Sequence, residues 1–249
     1  MTENTKEACA PHAIQMGEFI TINASDGDKF EAYLAKPSPG RGPGLIVIQE
    51  IFGVNSHIRD VTDRWAKEGY VAIAPDMFWR IEPHFEAGYT PEEAQRARAM
   101  RPKFNFDLAV KDLATTLSTL RARPDCTGQA GVVGYCLGGN LAYRAAAQTD
   151  VDVAVAYYGG GVDQILDDAK CITCPIMFHY GEIDSSIPAE AREKTRAALA
   201  HHPKASFYVY PNAGHGFAND ARPVFHEAAT ELARTRTLAL LRETIGPKN

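Results

Sequence analysis

The 249 residues carry 26 Lys and Arg against 31 Asp and Glu, a formal net charge of −5, with 45% hydrophobic and 23% charged residues. That composition is ordinary for a globular chain in water, and the absence of a basic stripe argues against a nucleic-acid partner. No apolar run reaches the ~18 residues of a membrane span. The opening MTENTKEACAPH has neither the basic nor the apolar region of a secretion signal, which predicts a cytoplasmic protein.

At about 150 residues per domain one or two domains are open, and α/β folds of this length are often single. Residues 1–16 read as a loose arm and 17–249 as one domain, with no linker composition inside it. Glu18–Ser25 and Lys29–Ala35 alternate apolar and polar residues around Gly27, which predicts a hairpin. The pattern then changes to short apolar runs: GLIVIQ (44–49), YVAIAP (70–75), AGVVGY (130–135), VDVAVAYY (151–158), PIMFHY (175–180) and ASFYVY (205–210). Such runs suit strands buried on both faces. Between them helices are expected over 57–68, 105–122, 137–148, 188–200 and 221–244; in the second, Leu108, Val110, Leu113, Leu117 and Leu120 recur at helical spacing. Alternating strands and helices imply a mostly parallel sheet with helices on both faces. The segment 81–103, rich in Arg, Glu and Pro, reads as a partly ordered cap.

In such folds ligands bind beyond the carboxyl ends of the strands. Strand 130–135 ends in the run Gly134-Tyr135-Cys136-Leu137-Gly138, a G-x-C-x-G where many hydrolases have G-x-S-x-G. The sharp strand-to-helix turn needs small residues two before and two after the nucleophile, and the helix N-terminus favours a thiolate. On its own, Cys136 reads more readily as a buried cysteine beside a glycine turn, since free cysteine is commonly buried. Asp184 follows strand 175–180 and reads alone as a turn or cap before Pro188; His215 follows strand 205–210 in the glycine-flanked AGHGF. Taken together, the order nucleophile, acid, histidine, each past a separate strand, is that of the α/β-hydrolase triad. His215 would take the thiol proton and return one to the leaving oxygen, with Asp184 holding the imidazole tautomer.

The motifs GYCLGG (134–139), QEIFG (49–53), PDMFWR (75–80) and AGHGF (213–217) resemble those of the dienelactone hydrolases, the carboxymethylenebutenolidases, over roughly residues 17–245. The resemblance implies an α/β-hydrolase fold, an ester or lactone as small-molecule substrate, and no metal or cofactor. It implies that Glu50 holds the Cys136 proton at rest until substrate displaces it. It also implies an oxyanion hole from the backbone N–H groups of Ile51 and Leu137, as the fold itself suggests. By the same likeness Arg80 pairs with a substrate carboxylate. Phe52, Trp79 and Phe217, read from the residues themselves, either line an apolar pocket or serve as plain packing. The family has a second arginine four residues beyond the histidine; here that position is Asn219, which puts the carboxylate clamp in doubt.

The leading expectation is a cysteine hydrolase that opens a dienelactone to maleylacetate through a thioester, acting as a monomer or small homo-oligomer. The departure at Asn219 favours a hydrolase of other small esters or lactones. A non-catalytic ligand-binding or redox protein on the same fold is the third reading. Five cysteines, an odd number, do not suggest a disulfide framework. The C-x-x-C at Cys171 and Cys174 precedes a strand rather than opening a helix, unlike a thioredoxin-type motif.

Overall fold

The computed structural model describes residues 17–38 and 40–246, so the arm expected at 1–16 lies outside the described residues. Eight strands form one sheet in the order β1-β2-β4-β3-β5-β6-β7-β8. The hairpin β1 (Glu18–Asn23) and β2 (Lys29–Ala35) pairs antiparallel, and β2 joins β4 (Val71–Pro75) antiparallel. From β4 onward, β3 (Gly42–Ile48), β5 (Cys126–Tyr135), β6 (Val153–Tyr157), β7 (Ile176–Gly181) and β8 (Ala205–Tyr210) run parallel. This is the mostly parallel sheet that the apolar runs predict, with the N-terminal hairpin expected from the alternation at 18–35, and it agrees with the α/β-hydrolase fold that the resemblance implies. β3, β4 and β6 are buried at every position, as strands covered on both faces must be.

Packing at two glycines shows the two covered faces. A Cβ at Gly44 would meet Leu120 of α3 (Phe106–Arg121), whereas one at Gly131 would meet Ile245 of α6 (Glu227–Ile245). Gly44 pairs with Ala130, the neighbour of Gly131. Successive side chains on a strand point to opposite faces, so α3 and α6 cover opposite sides. α1 (Ser56–Lys67) packs on β4, α4 (Leu137–Gln148) on β5 and β6, and α5 (Ala189–Ala198) follows β7.

Two segments differ from the sequence reading. Residues 81–103 are ordered: α2 (Pro91–Arg98) starts in a capping box of Thr90 and Glu93, and a short 3-10 turn follows over Arg101–Lys103. The segment is pinned over the strand ends by a bridge between Gly53 and Glu86, by the Ala87 N–H donating to Phe52 O at 3.0 Å, and by an Arg59–Glu86 ion pair. α6 begins at Glu227 rather than 221. The chain before it folds back, with His226 N–H donating to Phe217 O, and the His226 side chain caps the helix by accepting from Ala229 N–H.

Beneath the sheet's carboxyl edge lies a buried polar chain. His179 of β7 has Nδ1 2.8 Å from Tyr210 Oη and Nε2 2.9 Å from Thr237 Oγ1, which in turn lies 2.7 Å from Tyr157 Oη. Burial, helped by the Arg236 charge, pushes the imidazole down to about 3. Below the usual value of 6.5 the unfolded chain takes up a proton that the folded chain refuses. Stability should therefore fall as pH drops from 6.5 toward 3, by about 1.4 kcal/mol per unit from this group. In His179→Gln the slope of unfolding free energy against pH between 6 and 4 should be shallower by about one proton. An unchanged slope would mean that His179 titrates in the folded protein.

Candidate active site

β3, β5, β7 and β8 are parallel, so Glu50, Cys136, Asp184 and His215, each just past one of them, emerge at the same edge of the sheet. Cys136 takes φ 55°, ψ −109°, between β5 and α4. A non-glycine residue with positive φ is strained and is kept where surrounding structure enforces it. Here the enforcement is close backbone packing. A Cβ at Gly134 would lie 1.9 Å from Gly138 O, and one at Gly138 would lie 2.3 Å from Ile48 O. The glycines two before and two after Cys136 are thus required by contact, and the turn lifts Sγ into the cavity above the sheet.

His215 Nε2 lies 3.2 Å from Cys136 Sγ, and His215 Nδ1 lies 2.8 Å from Asp184 Oδ2. The other Asp184 oxygen accepts the Ser186 N–H at 2.8 Å, which fixes the carboxylate in its turn. Tyr158 stands edge-on to His215, ring centres 5.3 Å apart. Burial alone would push the His215 imidazole down. Its hydrogen bonds to Asp184 and Cys136, with the negative charge on both, outweigh that and raise it to about 10. Among the described residues the backbone N–H groups of Ile51 and Leu137 have no internal acceptor, whereas the next N–H in the helix, that of Gly138, is taken by Gln49 O.

The cavity over Cys136 has a volume of about 680 Å³, and Glu50, Ile51, Phe52, His215, Ser185 and Ser186 share its lining. So do three arginines, Arg98, Arg101 and Arg222, which have no acidic partner among the described residues. Arg222 lies over the Phe52 ring at 5.5 Å. A larger depression of about 760 Å³ lies at the opposite end of β7 and β8, against α6, and contains no cysteine or histidine.

Glu50 is almost fully buried, and its Oε2 accepts from Asn219 Nδ2 at 2.7 Å; Oε1 has no partner. Sγ faces His215 and no hydrogen bond joins it to Glu50, in contrast to the resting arrangement that the family resemblance implies. Asn219 is fully buried and absent from the cavity lining.

Arg80 and Trp79 stand apart from this cavity. Arg80 Nε and Nη2 donate to the two oxygens of Asp112 on α3 at 2.9 and 2.8 Å, and Nη1 donates to Asp26 at 2.6 Å. Trp79 Nε1 donates to Asp112 as well, and its ring stacks on Phe30. Phe217 is fully buried among Tyr157, Tyr158 and Tyr210. Of the expected pocket residues, only Phe52 therefore lines the cavity. Arg98 and Arg101 come from the segment 81–103, whose arginine density is visible in the sequence although its placement is not.

Among the described residues no group of three or more His, Cys, Asp or Glu could hold a metal ion, and no helix is long and apolar enough to cross a membrane. Cys171 and Cys174 lie ahead of β7 as free thiols, and burial pushes Cys174 up to about 11, which makes it a poor nucleophile near neutral pH.

The family model for the dienelactone hydrolase family matches residues 30–245. A carboxymethylenebutenolidase of Pseudomonas sp. (strain P51) is 40% identical over 90% of this chain and 94% of its own length. A carboxymethylenebutenolidase of Cupriavidus pinatubonensis is 36% identical over 91% and 97%. Among solved structures, a Klebsiella pneumoniae protein assigned to the dienelactone hydrolases superposes with a TM-score of 0.82 at 32% identity, covering 91% of this chain and 98% of that one. An esterase of Pyrococcus furiosus shares the fold, with a TM-score of 0.71 at 17% identity over 92% of each chain. The chain belongs to the dienelactone hydrolase family and, with it, to the carboxylic ester hydrolases.

Proposed function

We propose that the protein opens a carboxylate-bearing enol lactone of the dienelactone type to maleylacetate, through a thioester on Cys136. The observation that carries this reading is the hydrogen-bonded line Sγ, His215, Asp184 in a cavity ringed by unpaired arginines. Sγ attacks the lactone carbonyl carbon and the carbonyl electrons move onto oxygen, where the Ile51 and Leu137 N–H groups hold the oxyanion. Collapse breaks the ring C–O bond. The enolate leaves and takes a proton from the His215 imidazolium, which its raised affinity keeps charged at neutral pH. Water then attacks the thioester while His215 accepts a water proton. The C–S bond breaks, and the acid departs from the restored thiolate. A trapped acyl adduct on Cys136, seen by mass spectrometry after rapid acid quench with a dienelactone, would support this route. Turnover without any adduct in the slow variant Asp184→Asn would count against it.

The carboxylate is read by Arg98 and Arg101 on the strap formed by residues 81–103, together with Arg222. Charge-assisted hydrogen bonds contribute ~1.5–3 kcal/mol. Solvent screening at these largely exposed arginines reduces that to ~1 kcal/mol each, or roughly fivefold in affinity. Arg98→Ala and Arg101→Ala should each raise KM for a dienelactone by about fivefold and leave p-nitrophenyl acetate unchanged. Equal changes on both substrates would favour the second reading, a hydrolase of small neutral esters. That reading is supported by an asparagine at position 219 and by the engagement of Arg80 elsewhere.

A further inference from the structure

We propose that Asn219, backed by Tyr89, is a positioning residue that holds the Glu50 carboxylate off the Cys136 thiol, so that Cys136 pairs with His215 before any substrate arrives. The proposal rests on Cys136 being the nucleophile. It starts from the orientation of one amide. Asn219 Oδ1 accepts the Ala221 N–H at 3.1 Å, so Nδ2 is the atom turned inward. Its two protons are both committed, one to Glu50 Oε2 at 2.7 Å and one to Tyr89 Oη at 3.0 Å. An amide nitrogen has two protons to give, so this one has none left for a substrate. Full burial and absence from the cavity lining point the same way.

Tyr89 fixes the amide from behind. Its oxygen also accepts from Asn55 Nδ2 at 3.2 Å, and Asn55 Nδ2 donates to Ala87 O at 3.0 Å. Asn55 is held in turn as the cap of α1, accepting the Ile58 N–H. A chain of neutral groups therefore anchors Glu50 from the strap and the start of α1. Glu50 keeps one buried oxygen without a partner and shares the cavity with Cys136. If its anchor were lost, the carboxylate would be free to turn toward Cys136 and the His215 imidazolium, which line the same cavity. The carboxylate would then compete with the thiolate for its counter-charge and repel it.

The test is the second-order rate of Cys136 alkylation by iodoacetamide at neutral pH, with the label located by peptide mass spectrometry. Asn219→Ala should react about tenfold more slowly than wild type. In the Glu50→Gln background the same substitution should have no effect, because the charge that it releases is gone. Tyr89→Phe, a milder variant that keeps the ring, should slow alkylation about threefold, again only when Glu50 is present. A rate within twofold of wild type in Asn219→Ala would overturn the proposal. So would an equal loss in both backgrounds, which is what mere structural damage gives. Should Asn219→Ala not fold, the Tyr89→Phe pair decides by the same criterion. p-Nitrophenyl acetate turnover is followed in parallel. If it survives complete labelling of Cys136, the nucleophile assignment itself falls; if it is lost with the label while Asn219 has no effect, only the positioning role falls.

Discussion

Cys136→Ala should lose at least about three orders of magnitude in kcat/KM on both a dienelactone and p-nitrophenyl acetate, and His215→Ala should lose as much. The two side chains are proposed to act as one unit, so the double variant should be hardly worse than either single one. The geometry behind this expectation is Nε2 at 3.2 Å from Sγ and Nδ1 at 2.8 Å from Asp184. Asp184→Asn keeps the shape but presents an amide that can donate to Nδ1, and it favours the wrong imidazole tautomer. It should still cost a factor of hundreds or more. The pH profile adds an independent check. His215 is raised to about 10 because its bonds to Asp184 and Cys136 outweigh burial. It keeps its proton across neutral pH and loses it as pH rises through 10, and with it the acid that protonates the leaving enolate. kcat/KM should therefore be flat from about pH 7 to 9 and decline above. Retention of more than a tenth of wild-type activity in Cys136→Ala would refute the nucleophile assignment.

Much of this site was legible because its residues lie at strand ends. The six apolar runs from 44 to 210 match β3 to β8 within a few residues, since strands covered on both faces leave little choice of residue type. Cys136, Asp184 and His215 stand in fixed order past three of those strands, so their convergence followed from topology alone. What failed to appear depends on contacts between distant segments. The bond from Asn219 to Glu50 spans 169 positions, and no local pattern announces it. The position was recognisable as a departure from the family motif, but its partner was not. α2 was hidden for a different reason. Ala97 is its only buried residue, so it has no apolar periodicity. Its capping box, Thr90 and Glu93 around Pro91, was the readable signal. Arg98 and Arg101 reach the cavity only because the strap folds back across Gly53.

Arg80→Ala should damage stability rather than substrate recognition, the reverse of what the family resemblance implies. Asp112 is buried, with its side chain 3% exposed, and receives three donors: two from Arg80 and one from Trp79. Removing one partner of a buried ion pair costs ~3–5 kcal/mol, because the remaining charge is left without compensation. Two features reduce that figure here. The Arg80 side chain is 21% exposed, so water can enter where it stood, and Trp79 still donates to Asp112. The guanidinium also lies 4.1 Å above the Trp79 ring, a contact worth ~0.5–1 kcal/mol at such a site. A net loss of about 2–3 kcal/mol follows, which for a chain of this size lowers Tm by roughly 5–10 °C. Arg80→Lys should recover only part of it, since an ammonium cannot span both carboxylate oxygens. Asp112→Asn in the Arg80→Ala background should recover stability by removing the stranded charge. Throughout this series the ratio of kcat/KM for a dienelactone to that for p-nitrophenyl acetate should stay within twofold of wild type, whereas Arg98→Ala lowers it. If Arg80→Ala instead left Tm unchanged and lowered that ratio tenfold, Arg80 would be the group that reads the carboxylate. The cavity arginines would then serve another purpose.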